Sequence, residues 1–222
     1  EVKEALAQMK SLWDQFARVS SGSNAQILLV HDPESNYFVN FYDHPKQDIL
    51  AHRIRLAFSD AALPFDTAAW NDLDHINLTR YKMILFQNHV LSNPERNAVL
   101  ARFVYQPGRL IVWIHAPGIL SEGRYDPENV QTLTGIPFGT EDHSIRHFPT
   151  HRSVYYATMS DLTARELRRL AKEAGVHLYT PPGNAVWSSD EFLMIHRKDA
   201  AEVPVHLPRK ATRITELFSG RV

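Results

Sequence analysis

The stretch from Arg80 to Gly118, RYKMILFQNHVLSNPERNAVLARFVYQPGRLIVWIHAPG, constrains the fold of this chain more than any other. Met83 to Phe86 is a short apolar run of the kind found in a strand buried on both faces. Ser92 or Asn93 can cap a helix, and Pro94 suits the first helical position, where no backbone donor is needed. Ala98, Leu100, Ala101, Phe103 and Val104 follow as an apolar stripe at helical spacing, and Gly108 supplies a stop. Leu110 to Ile114 is a second fully apolar run, ending in His115-Ala116-Pro117-Gly118. A strand–helix–strand unit of about 30 residues joins parallel strands through a right-handed crossover. Ligand sites of such sheets lie beyond the carboxyl ends of the strands, so Asn88-His89 and His115-Ala116 are expected to face one crevice.

Composition removes several functions. Lys and Arg number 24 against 25 Asp and Glu, so there is no basic surplus to attract nucleic acid or an anionic membrane. No apolar run approaches the roughly 18 to 20 residues of a membrane span. The chain has no cysteine, which excludes disulfides, thiolate metal sites and cysteine nucleophiles. Its 44% hydrophobic content over 222 residues is enough for a core of one large domain, or of one domain with an appendage. The first residue is Glu1, inside a helical pattern, so the expectation is a fragment whose compartment, cytoplasmic or exported, was set by a missing N-terminal part.

Elsewhere the pattern is equally punctuated. Glu1 to Arg18 places Val2, Leu6, Met9, Leu12, Trp13 and Phe16 near helical spacing, an amphipathic helix read as a connection. After a Ser/Gly-rich loop, Gln26 to Val30 is the first buried strand, ending in His31-Asp32-Pro33-Glu34. The aromatic segment NYFVNFYDHP (Asn36 to Pro45) is expected to cover one end of the sheet. Gln47 to Ala61 reads as a helix, Phe65 to Ala68 as the second strand, and Glu128 to Leu133 as a short helix between Asp126-Pro127 and Gly135. Val154 to Ala157 reads as a strand, and Thr163-Ala164-Arg165-Glu166 as a capping box opening a helix that stops near Gly175. Val176–Tyr179, Ala185–Trp187, Phe192–His196 and Val203–Leu207 then suggest an antiparallel meander. The organisation expected is a connecting helix and linker over 1–24, an α/β domain over 25–175 and an antiparallel β extension over 176–222.

The candidate chemistry is thin. No HExxH helix occurs, and His143, His147 and His151, although spaced by four, lie in a segment that reads as loop, so no metal or other cofactor is expected. A nucleophile elbow needs Ser or Cys on the strand-to-helix turn; Ile114-His115-Ala116-Pro117-Gly118 offers neither, and the proline removes a donor an oxyanion hole would use. Asp32, Glu34, Asp43, Glu122 and Asp126 are loop carboxylates from which the spacing selects no acid/base pair. Neither GxGxxG nor a P-loop is present. Tyr37, Phe38, Phe41 and Tyr42 fit a covered core or interface better than a sugar platform. No catalytic residue is assigned. The residues that a ligand in the strand-end crevice would meet are His31, Asp32, Asn88, His89 and His115.

Tyr81-Lys82-Met83-Ile84-Leu85-Phe86, Leu91-Ser92, the helix ending Arg102-Phe103-Val104 and Pro107-Gly108-Arg109-Leu110-Ile111-Val112 together resemble the glutamine-amidotransferase-like domain behind the catalytic barrel of glycoside hydrolase family 42 β-galactosidases, often called the trimerisation domain. The tail supports it: Gly175-Val176-His177-Leu178-Tyr179, Phe192 to His196, Val205-His206-Leu207-Pro208 and Ile214 to Gly220 resemble the small antiparallel end of such proteins. The family's Gly-Gly before the second strand is Pro107-Gly108 here. The resemblance implies a flavodoxin-like (class I glutamine-amidotransferase-like), mostly parallel sheet flanked by helices, with a small antiparallel β region at the C-terminus. It implies that His115-Ala116 stands where true amidotransferases carry cysteine. It implies a missing N-terminal barrel as partner and homo-oligomerisation.

The leading expectation is therefore a non-catalytic accessory or oligomerisation domain of a glycoside-hydrolase-like protein, without amidotransferase activity. The alternatives are an independent carbohydrate- or small-ligand-binding module and a free-standing hydrolase with a His/carboxylate site.

Overall fold

The computed structural model describes residues 2–16, 22–38, 53–158, 161–197, 199, 201–217 and 219. Among them the chain forms an α/β layer structure around a six-stranded sheet, with a small antiparallel pair at the C-terminal end. The sheet strands are β1 (Ile27–His31), β2 (Asp66–Ala69), β3 (Met83–Phe86), β5 (Leu110–Ile114), β8 (Arg146–His147) and β9 (Arg152–Tyr156). Their order is β2-β1-β3-β5-β9-β8, parallel throughout except for the antiparallel edge strand β8. Chain order therefore reverses between β1 and β3, the place where a sheet of this kind opens a crevice at its carboxyl end.

β1, β3 and β5 read as unbroken apolar runs because both faces are covered. On one face Leu29, Met83, Leu85, Val112 and Tyr156 pack beneath α2 (Ile54–Asp60) and α5 (Ala164–Glu173), through Phe58, Leu167 and Leu170. On the other, Leu28, Ile84, Phe86, Trp113 and Tyr155 meet Leu100 and Val104 of α3 (Pro94–Val99 and its continuation) and Val130 and Leu133 of α4 (Pro127–Thr134). Burying each such side chain contributes about 1.5–3 kcal/mol.

The helix punctuation operates as the residue types dictate. The Asn93 side chain accepts from the Arg96 amide at 2.8 Å, with Pro94 in the first turn. Asp126 caps α4 the same way, and Gly135 ends it at φ 77°. In α5, Thr163 accepts from the Glu166 amide. Glu166, however, turns to Tyr156 and Arg169 and leaves the capping box half-formed. α3 departs from its expected path: Leu100–Val104 widens into π geometry, with the Tyr105 amide bonded to the Leu100 carbonyl. The last carbonyls of this helix, Phe103 and Val104, are bound by Arg109, which is buried and also donates to the Leu78 and Tyr81 carbonyls. Burial lowers the Arg109 guanidinium to about 10, so it stays charged at neutral pH.

Two expectations need correction. Val176–Tyr179 and Val203–Leu207 are not strands; the antiparallel pair consists of β10 (Ala185–Ser188) and β11 (Leu193–His196). Val176 instead packs into the core beneath α5, and the tail touches Tyr179 through one bond from the His206 amide. The loop-like region after Gly118 also hides a second small sheet, in which β4 (Leu91–Ser92) pairs β6 (Leu120–Ser121), and β6 pairs β7 (Arg124–Tyr125). Phe41, Tyr42, Asp43, the first turns expected of α2 and the final Phe218 and Gly220 lie outside the described residues. α1 (Val2–Phe16) is a helix whose Val2, Leu6, Met9 and Trp13 are exposed.

Candidate functional site

The crevice at the reversal of strand order is built from the residues that follow β1 and β3. Asp32 leaves β1 and Asn88 leaves β3, and the two interlock: the Asp32 amide donates to Asn88 Oδ1, and Asn88 Nδ2 donates to the Asp32 carbonyl, each at 2.8 Å. Asn88 Nδ2 also reaches Asn36 Oδ1, and Asn36 Nδ2 lies 3.1 Å from His31 Nε2. This stitches β1, the 3-10 turn Glu34–Phe38 and β3 together across the place a ligand would enter.

At the centre of the crevice is Asp32, 1% exposed. Arg96, from the first turn of α3, donates to both of its carboxylate oxygens, at 2.6 and 3.3 Å, and to Glu34 at 2.7 Å. Ser35 Oγ donates to Asp32 Oδ2 at 2.6 Å, and the Glu34 and Ser35 amides close the remaining positions. Burial alone would raise the Asp32 carboxyl. Neighbouring His89, the hydrogen bonds from Arg96 and Ser35 and the Arg96 charge prevail and hold it well below the usual carboxylate range. Arg96 in turn lies over the Trp70 ring, 4.9 Å from its centroid.

His89 is sealed beside this network. Its Nδ1 is 3.6 Å from Asp32 Oδ2, too long for a hydrogen bond. Its ring lies against Trp70, Phe86 and Trp113, at centroid distances of 4.3, 5.5 and 5.7 Å. Burial lowers its basicity despite the adjacent Asp32 charge, which keeps the imidazole neutral. His31, half-buried, is likewise lowered by burial.

His115 lies at the end of the next strand of the sheet, β5. It follows β5 at φ 70°, a left-handed conformation that a non-glycine residue adopts at a cost of order 1–3 kcal/mol. That places the elbow conformation on His115 itself, with Ala116 and Pro117 after it. Its backbone is held by the Tyr156 carbonyl and by the Tyr155 hydroxyl, which donates to the His115 carbonyl at 2.7 Å. The loop then turns at Gly118 (φ 68°), whose amide donates to the His89 carbonyl; a β-carbon there would sit 2.5 Å from Leu133 Cδ1. The elbow thus meets the crevice through its backbone.

The arrangement brings His31, Asp32, Asn88 and His89 together as a closed unit in which Asp32 and Asn88 are satisfied, while both His89 ring nitrogens are buried without a hydrogen-bond partner among the described residues. Both Asp32 oxygens are engaged, and Asp32, Asn88 and His89 are at most 3% exposed. A carboxylate so held is a poor nucleophile or base, and a neutral imidazole walled by aromatics cannot reach a substrate. The histidines spaced by four diverge: His143 stacks on Tyr156, while His151 is sandwiched between Tyr105 and Phe148 at the opposite end of β9. Sequence reasoning missed Arg96, which lies in the polar turn PERN, and Trp70. Neither carries a local sign of burial.

Solved structures carry the same fold. It is a likeness of fold. A β-galactosidase from Rahnella sp. R3 superposes with a TM-score of 0.67 at 16% identity, covering 94% of this chain and 41% of that one. One from Bacillus circulans sp. alkalophilus gives 0.65 at 15% identity, over 85% and 37%. A GH42 β-galactosidase from G. stearothermophilus gives 0.62 at 14% identity, over 98% and 40%. The chain therefore spans about two fifths of the length of these enzymes. No family model and no curated protein matches it.

Proposed function

We propose that this chain is a non-catalytic accessory and oligomerisation domain of a glycoside-hydrolase-like protein, with a flavodoxin-like sheet related to class I glutamine amidotransferases. The observation that carries this reading is the closed crevice. At the reversal of strand order, where sheets of this class bind ligands, Asp32, Arg96, Asn88 and Ser35 consume one another's hydrogen-bonding capacity. The elbow conformation falls on His115 and is followed by Ala116 and Pro117, so it presents neither a hydroxyl nor a thiol. The strand order β2-β1-β3-β5-β9 supports the flavodoxin-like assignment. The likeness to segments of β-galactosidase chains supports the glycoside-hydrolase context.

On this reading the catalytic carboxylates lie on a barrel preceding Glu1, and the domain contributes assembly rather than chemistry. Sedimentation equilibrium of the purified chain tests it. Self-association at micromolar concentration is the expected result; a strictly monomeric chain at hundreds of micromolar would remove the oligomerisation role.

A further inference from the structure

A groove of about 790 Å³ runs along the edge strand β2, and none of His31, Asp32, Asn88, His89 or His115 lines it. Its floor is the strand's own backbone. β2 pairs β1 on one side, and no strand pairs it on the other among the described residues. The Gln26 and Val30 carbonyls accept from the Lys82 and Gln87 amides, so the even-numbered residues of β1 face β3 and the odd-numbered ones face β2. Leu29 lies opposite Thr67, and in a parallel ladder its two bonds go to the residues flanking Thr67, namely Asp66 and Ala68. Thr67 therefore turns both its N–H and its C=O outward, and no hydrogen bond among the described residues takes up either group.

The side chains around this floor are held in place. Arg80 Nη2 and the Tyr81 hydroxyl both donate to Asp66 Oδ2, at 2.7 and 2.8 Å, and Arg80 lies over the Tyr81 ring, 4.8 Å from its centroid. Asp66 Oδ1 and the Nε and Nη1 of Arg80 take no partner among the described residues. The other side of the strand carries Trp187, which also lines a hollow with Leu56 and Ser59 of α2. Its side chain is half exposed. Its backbone belongs to β10, tied to the body by the Asn24 amide on the Ser188 carbonyl and by Val186 packed on Ala62 and Tyr179. The lining balances Asp66 and Asp72 against Arg55 and Arg80, so it selects neither an anion nor a cation.

We propose that this groove is a carbohydrate-binding site for a neutral oligosaccharide, with one sugar ring laid against Trp187 and its hydroxyls on Asp66, Arg80 and the Thr67 main chain. The inference goes beyond the accessory-domain reading and stands whether or not the chain self-associates. A hydroxyl both donates and accepts, so adjacent hydroxyls of one ring need an acceptor and a donor side by side. Asp66 Oδ1 beside the free N–H groups of Arg80 supplies that pair, and Thr67 supplies a second through its backbone. The flat C–H face of a sugar ring is apolar and suits a half-exposed indole. The groove volume lies within the roughly 300–1,000 Å³ of ligand sites, which leaves room for more than a single ring. The ion pair, the ring under Arg80 and the strand under Trp187 fix these groups before a ligand arrives, which lowers the ordering cost of binding.

Isothermal titration calorimetry of the full 222-residue chain with cellotriose, β-1,4-galactotriose and maltotriose tests this. At least one of the three is expected to bind with a Kd of about 1 mM or below. Trp187→Ala removes the half-exposed ring, and Asp66→Asn keeps the side-chain shape while removing the charge. Each is expected to weaken binding about tenfold or more, with circular dichroism unchanged. Should Asp66→Asn unfold, Thr67→Pro deletes the outward donor, leaves the β1–β2 bonds intact and is expected to weaken binding as well. No binding of any trisaccharide at about 10 mM would overturn the site. Binding undiminished in folded Trp187→Ala together with either folded second variant would overturn it too. Neither result bears on sedimentation of the chain, so this inference and the assembly reading fail separately.

Discussion

Removing the Arg96 cation is the sharpest perturbation of this structure. Arg96→Met keeps most of the aliphatic volume beside Trp70 and deletes the guanidinium that contacts Asp32 at 2.6 and 3.3 Å. The Asp32 side chain is 1% exposed, so water cannot replace the lost donors. What remains is Ser35 and two backbone amides. Breaking a buried ion pair from one side costs about 3–5 kcal/mol, a large share of the about 5–15 kcal/mol that keeps a domain folded. The loss of the cation over Trp70 adds about 0.5–1 kcal/mol, which the methionine partly offsets by packing. Burial then dominates Asp32 and lifts its carboxyl above the unfolded value of about 3.9. A raised carboxyl binds protons more tightly when folded, so the deficit of Arg96→Met relative to wild type should shrink as pH falls from 7 toward 4. The double variant Asp32→Asn, Arg96→Met should recover most of the loss, giving a coupling of about 2–3 kcal/mol. Urea unfolding followed by tryptophan fluorescence and circular dichroism measures all three. A cost below about 1 kcal/mol that does not change with pH would mean that Asp32 does not depend on Arg96 for its charge.

Two further outcomes follow from groups that burial perturbs. His89 and His31 are lowered by burial, and His151, stacked between Tyr105 and Phe148, is lowered to about 4 by the same cause. Their folded forms bind fewer protons than the unfolded chain, so stability should be complete above about pH 6.5 and fall progressively toward pH 4, with His151 contributing at most about 3 kcal/mol. His151→Phe should flatten this decline in melting temperature measured across pH. Arg109→Met strands the carbonyls of Leu78, Tyr81, Phe103 and Val104 in the interior and should cost about 3 kcal/mol in urea unfolding. Arg109→Lys should recover less than half, since one ammonium cannot span both sides of the guanidinium fork.

The central sheet was legible because its signal is local. Met83–Phe86 and Leu110–Ile114 carry their burial in their own composition, and Asn93-Pro94, Asp126-Pro127 and Gly135 mark their helix ends by chemistry that acts within four residues. The candidate crevice was legible only as a place. Asp32, Asn88 and His89 do converge, but what fills the space between them is Arg96, 64 residues from Asp32 in a turn whose composition suits a solvated helix start. A buried charge of this kind is written in the partner rather than in its own neighbourhood. The meander failed for a related reason. Val176–Tyr179 has strand composition, but Val176 is drawn under α5, and β10–β11 takes up the pairing with two strands. The π widening of α3 ends where Arg109 binds its last carbonyls, a tertiary contact that no helical periodicity displays.

On the proposed reading the strand-end crevice is filled by the chain's own side chains, and the chain is expected to hydrolyse nothing by itself. Turnover of chromogenic β-galactosides and simple esters by the purified chain, at concentrations of tens of micromolar and with prolonged incubation, measures that most directly. A rate indistinguishable from the buffer blank is expected. A rate above the blank that His115→Ala or Asp32→Asn abolishes, in variants that remain folded, would contradict it.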